Sequence, residues 1–288
     1  MIAFAGNSLL CRLALKQTGI DAASFTFVRI FSGAVALWLI VQVRTGSRRE
    51  AGNWPSALAL FAYAAAFSFA YVTLSAGTGA LLLFGAVQAT MIFWGLRRGE
   101  RLRVLQLAGL AVALGGLVAL LLPGLSAPPL GGSILMLGAG TAWGIYSLHG
   151  KTAGDPVIAT AGNFLRAVPF AAVLSISLLP RLHLDWAGVG YALLSGVLAS
   201  GLGYVAWYAA LSGLKATSAA TVQLSVPVLA AAGGILLLGE PLTLRFVLAT
   251  IAVLGGIALV VMNPFRPGVE SIKPDRRVGP TPTDETTR

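Results

Sequence analysis

The sequence predicts an all-α integral membrane protein whose ten transmembrane helices form two inverted five-helix repeats. Its 288 residues are 57% hydrophobic and only 10% charged, with a mean hydropathy of +0.83, a composition foreign to a soluble domain of this size. Ten apolar stretches run along the chain in two groups of five, and the groups end alike. Gly99-Glu100-Arg101-Leu102 is followed by Gly115-Gly116, and Gly239-Glu240-Pro241-Leu242 is followed at the same spacing by Gly255-Gly256. An odd number of spans per half makes the second half enter the bilayer the other way up, so the duplication implies an inverted repeat.

Crossing the hydrocarbon core takes roughly 20 apolar residues. The stretches that meet this need run from Met1 to Leu15, Phe25 to Val43, Trp54 to Leu74, Gly79 to Leu96 and Val104 to Leu122 in the first half. Those of the second half are Leu130 to Leu148, Val157 to Leu179, Trp186 to Leu211, Ser218 to Leu238 and Leu244 to Met262. The first is short, so either Arg12 and Lys16 snorkel from a longer helix or part of the natural start is missing. The divisions are a first repeat over 1–125, a second over 126–263, and a basic, proline-rich tail over 264–288. The tail has no helical period and is read as disordered.

Cytoplasmic loops are enriched in Lys and Arg. With the N-terminus inside, that side carries Arg44, Arg48, Arg49, Arg97, Arg98, Arg101, Arg103, Lys151, Lys215 and the tail's Arg266, Lys273, Arg276, Arg277 and Arg288. The other side carries only Arg12, Lys16, Arg181 and Arg245. Both termini are therefore expected in the cytoplasm, with the protein in the cell (inner) membrane. The isoelectric point near 10.5 does not point to nucleic acid, because these cations are dispersed between spans instead of gathered on one face. Lone Cys11 excludes an internal disulfide and a cysteine metal cluster.

Several residues together resemble the EamA type of the drug/metabolite transporter superfamily. They are Ala142-Trp143-Gly144, Arg29 in Phe27-Val28-Arg29-Ile30, Arg166 in Phe164-Leu165-Arg166, the Pro227-centred ninth span, the two Gly-Glu turns and the two diglycines. The first half departs from the pattern, with Ala5 in the place of Trp143 and Val87 in the place of Pro227. The resemblance implies ten helices in two five-helix halves and export or exchange of amino acids or other small metabolites, anionic ones included.

The ten acidic residues all fall at helix ends, in loops or in the tail. Carriers that couple a cationic drug to protons need a buried carboxylate, and none is expected mid-membrane. The intramembrane charges are positive instead. Arg29 and Arg166 occupy equivalent places in the two halves; they either hold a substrate carboxylate or phosphate, for which the guanidinium fork is shaped, or bond helix-end carbonyls and headgroups. Glu100 and Glu240 are read as turn residues or N-cap acceptors for the following span.

Pro227 removes an amide donor and is expected to kink its span, lining a substrate chamber or relieving packing. Gln223, one turn earlier, and its counterpart Gln88 offer groups to a solute or make interhelical bonds. Trp143 and Tyr146 suit a pocket wall, although the GxxxG step Gly140 to Gly144 beside them equally suits close helix packing. The other tryptophans take belt positions. His149 and His183 have no partners at metal-ligand spacing.

No nucleotide-binding, nucleophile-elbow or zinc-protease motif occurs, so neither an enzyme nor a cofactor is expected. The expected partners are a small-molecule substrate and membrane lipid, as a monomer or homodimer. The expectation is a secondary transporter working by alternating access. A non-transporting scaffold or a lipid-acting membrane enzyme is the alternative.

Overall fold

The computed structural model describes residues 1–45, 51–99, 101–124, 127–150, 155–211 and 222–262. Glu50, Glu100, Lys151, Lys215, the start of the ninth span and the tail lie outside the described residues. The helices are α1 (Ile2–Gln17), α2 (Ala22–Thr45), α3 (Trp54–Tyr71), α4 (Ala76–Arg97) and α5 (Val104–Leu121), then α6 (Leu130–Gly150) and α7 (Pro156–Ser177). Next, α8 runs through Trp186–Leu194, a π-helical stretch Ser195–Leu202 and Gly203–Leu211, before α9 (Ser225–Leu238) and α10 (Leu244–Met262). Among the described residues, seven helical segments are long and apolar enough to cross a membrane. The protein is an all-helical, multi-pass membrane protein.

Acidic residues set the helix starts. Asp21 Oδ1 accepts the amides of Ala23 and Ser24 at the head of α2, Asp155 those of Val157 and Ile158 on α7, and Asp185 those of Ala187 and Gly188 on α8. Each satisfies donors that the first turn leaves orphaned, in line with the helix dipole. The turn glycines are needed for their backbone: Gly99 has φ +88° and Gly239 φ +62°, a region closed to most side chains.

Neighbours are arranged in exchanged pairs. Helix α2 packs on α7, α4 on α9 and α5 on α10; α3 packs on α6 as α8 packs on α1, and α4 on α6 as α9 on α1. Shifting every label by five, with α6 to α10 returning to α1 to α5, carries this set onto itself. The α5–α10 contact shows what the diglycines do. A methyl group on Gly116 would meet Ala252 Cβ at 2.7 Å, and one on Gly256 would meet Ala113 N at 2.7 Å, whereas Gly115 and Gly255 face open space. One glycine of each pair permits backbone approach, and Gln106 Nε2 locks the pair by donating to Val260 O at 3.2 Å.

The helix of the ninth span is interrupted at Leu224, and Pro227 stands in the first turn after the interruption. Its missing amide would have bonded the carbonyl of Gln223, so the break falls where that bond is lost. Of the two readings of the short first span, snorkelling does not hold for Arg12, which is turned inward and ion-paired with Glu240.

Candidate functional site

Arg29 projects from α2 into the centre of the helix bundle and is 2% exposed. Its Nη2 donates to the Tyr63 hydroxyl at 2.9 Å and its Nε to Ser200 Oγ at 3.3 Å. Its carbon Cζ lies 5.2 Å from the Tyr63 ring centroid and 5.0 Å from that of Phe67, so ring faces supply part of what water would have given the charge. Nη1 is buried without a partner. The ion pair found among the described residues joins Arg12 to Glu240, so no described carboxylate neutralises Arg29. A buried guanidinium nitrogen left unpaired is costly, and such an orphan marks a place where a missing group would bond.

The network continues through both halves. Asn7 Nδ2 donates to Tyr63 Oη at 3.2 Å, and Ser195 Oγ donates to Asn7 Oδ1 at 2.6 Å. Ser195 and Ser200 both come from the π-helical stretch of α8. The widened turn there presents two hydroxyls five residues apart to one network, a distortion common at functional sites.

Trp143 of α6 sits at the hub of an aromatic cluster. Its ring centroid is 4.9 Å from Tyr63, 5.0 Å from Tyr204, 5.4 Å from Tyr146 and 6.2 Å from Phe4. Phe4 in turn meets Tyr204 and Trp207, and Phe164 meets Tyr204. Thus α1 and α3 of the first half and α6, α7 and α8 of the second meet in one aromatic wall beside Arg29. Such a wall takes apolar groups by burial and cations by their attraction to ring faces.

Of the residues singled out from sequence, Arg29, Trp143 and Tyr146 are gathered here and the others are not. Arg166 Nη1 donates to Ala51 O in the loop before α3 at 2.9 Å and to Gly162 O of its own helix at 3.1 Å, carbonyl bonding close to one of its two readings. Gln88 is buried on α4 with Nε2 unpartnered, Gln223 is half-buried beside the turn at Leu224, and Pro227 is buried on α9. Sequence reading passed over Asn7, Tyr63, Ser195, Ser200 and Tyr204. A lone amide in an otherwise apolar first span was the available signal for Asn7.

A second polar cluster closes one end of the bundle. Arg12 Nε lies 3.1 Å from Glu240 Oε1, and Arg12 Nη1 donates to Tyr71 O at 2.8 Å and Val72 O at 3.0 Å. Glu240 Oε2 accepts the Ala76 amide at 2.8 Å. Glu240 therefore caps α4, in the other half, and not the span that follows it. A cavity of about 240 Å³ adjoins the pair, lined by Lys16, Thr73, Ser75, Thr78 and Phe246 among others. No group of three or more His, Cys, Asp or Glu suited to a metal ion occurs among the described residues.

Residues 130–262 match the model of the EamA-like transporter family. A protein of Pseudomonas aeruginosa described as uncharacterized is 63% identical over 91% of both chains. The chain belongs to the EamA-like transporter family. An Archaeoglobus fulgidus protein described as an uncharacterized transporter is 26% identical, over 80% of this chain and 84% of its own. The threonine/homoserine exporter RhtA of Salmonella typhimurium is 32% identical over 43% of this chain and 42% of its own. A solved crystal structure, 18% identical, superposes with a TM-score of 0.61 over 91% of this chain and 96% of its own, and so shares the fold. This EamA-like protein is a membrane-embedded transporter of a small molecule.

Proposed function

We propose that this EamA-like protein exports or exchanges amino acids or similar small metabolites carrying an anionic group, by alternating access around the Arg29 chamber. The unpartnered Nη1 of Arg29 carries the reading: a buried cation without a carboxylate keeps a charged donor for one brought by a solute. The aromatic wall beside it suits the rest of the molecule, an ammonium or apolar side chain. The solute is released when the site becomes accessible to the other side.

The exchanged helix pairs support ten spans in two inverted repeats, 1–125 and 126–263, rocking about the chamber between them. Positive charges support both termini in the cytoplasm of a cell whose inner membrane holds the protein. The printed activity of RhtA, matched over less than half of each chain, supports amino acids as the first solutes to test.

Counterflow into liposomes holding the purified protein tests this. Labelled amino acid should accumulate when the vesicles are preloaded with the same amino acid, and not when preloaded with its decarboxylated amine. Absence of counterflow for every carboxylate tried would remove the proposed solute class, and its absence for all solutes would favour a scaffold.

A further inference from the structure

The Gly140–Gly144 step of α6 lets that helix press against α4. A methyl group on Gly140 would run into the carbonyl of Leu83, and one on Gly144 would meet Thr90 Cβ at 2.9 Å. Beyond this contact the residues become large, with Phe93 and Trp94 on α4 and Ile145 and Leu148 on α6. A groove of about 420 Å³ lies between the two helices there. Its threonines are spoken for: Thr90 Oγ1 donates to Ala86 O at 2.8 Å and Thr141 Oγ1 to Leu137 O at 3.0 Å. The groove is thus apolar between its ends, with Phe93 55% and Ile145 40% exposed, and His149 lines it alongside Arg97.

Its mouth is basic. Arg97 lines the groove and holds Cζ 4.6 Å from the Phe93 centroid, and Arg98 holds Cζ 5.3 Å from that of Trp94. Neither has an acidic partner among the described residues, where the ion pair is Arg12 with Glu240. The ring contacts set the guanidinium groups at the end of an apolar channel, where the hydrocarbon of a bilayer gives way to phosphate.

We propose that this groove is a binding site for one anionic phospholipid, its phosphate held by Arg97 and Arg98 and an acyl chain lying along Phe93, Trp94, Ile145 and Leu148. A zwitterionic lipid offers the same chain and phosphate but brings its own ammonium to the arginines. Charge therefore selects the anionic headgroup, while shape selects the chain. The inference concerns the lipid-facing side of α4 and α6 and is independent of the solute.

Trp94 reports on the site. The protein is placed in bilayers containing phosphatidylglycerol or phosphatidylcholine with brominated acyl chains, and its quenching is measured as the difference between wild type and Trp94→Phe. Brominated phosphatidylglycerol should quench Trp94 with about tenfold tighter apparent binding than phosphatidylcholine, with no such preference at Trp54, obtained likewise from Trp54→Phe. In the unaltered protein the preference should shrink as salt is raised. In Arg97→Gln/Arg98→Gln it should fall to about twofold or less. Equal quenching by both lipids would overturn the proposal, as would a preference untouched by salt. Quenching by neither would overturn it too, because the groove would then be covered by protein, such as a second copy of the chain.

Discussion

Arg12 and Glu240 stand 3.1 Å apart, 228 residues distant in sequence, and tie four chain segments at one end of the bundle. The arginine also holds the last carbonyls of α3, and the carboxylate also holds the first amide of α4. Both side chains are close to buried, with 11% and 6% exposure. Removing one partner of such a pair strands the other.

Glu240→Gln should lower the unfolding temperature, and Arg12→Gln/Glu240→Gln should recover part of the loss, the two changes being strongly non-additive. Substrate movement per folded molecule should persist in Glu240→Gln, because the residue is bonded to structure and lies outside the chamber. A well-folded Glu240→Gln carrier that binds solute but ignores a pH gradient would contradict this.

The two intramembrane arginines should separate in their effects. Arg29→Gln should reduce discrimination between a substrate and its carboxamide analogue by roughly 10- to 100-fold, the range of a charged hydrogen bond. Arg29→Lys should keep part of it, having the charge without the fork. Arg166→Gln should leave discrimination unchanged and lower stability, since its partners are carbonyls. Binding isotherms for the two ligands in each variant decide; loss of discrimination in Arg166→Gln would move the anion site.

Neighbouring glycines of α10 should respond oppositely to one methyl group. Gly256→Ala meets the backbone of Ala113 and should destabilise by about 1–3 kcal/mol. Gly255→Ala meets nothing within 4 Å and should be neutral or mildly stabilising. Thermal unfolding in one detergent compares them, and equal losses would refute the α5–α10 packing.

Acid should weaken the cap on α2. Burial alone would raise the Asp21 carboxyl, but hydrogen bonds from the Ser24 hydroxyl and from the amides of Ser24, His183 and Ala23 outweigh it and hold it below the ordinary value of 3.8. A lowered folded-state pKa gives stability that is present above 3.8 and lost as pH falls through the lower folded value. Asp21→Ala should cost about 1–2 kcal/mol at neutral pH and flatten the acid limb of the stability curve. An unchanged acid limb would assign that loss to other carboxylates.

Orientation is checked by fusion. A reporter after Met262 should behave as cytoplasmic, and one placed between Pro123 and Pro129 as external. The reverse result would overturn the orientation read from the charges.

Composition was enough to place this chain in a bilayer as a helical, multi-pass molecule, because hydrophobicity and length are local properties. The Gly-Glu turns and diglycines were legible for the same reason: each states its need for positive φ or close approach in one or two residues. Arg29 was visible as a charge in an apolar span. Tertiary structure alone decided which charges are free and which are bound. Arg29 and Arg166 look equivalent in sequence, but the loop at Ala51 reaches only Arg166, while Tyr63 and Phe67 of α3 and Ser200 of α8 surround Arg29. For Arg12, snorkelling was one of two readings drawn from the shortness of the first span, and its partner Glu240 arrives from the far half. Likewise the π-helical turn of α8 leaves no pattern in its serines and glycines. Contacts between residues a hundred or more positions apart are not encoded in local periodicity, and they define the chamber.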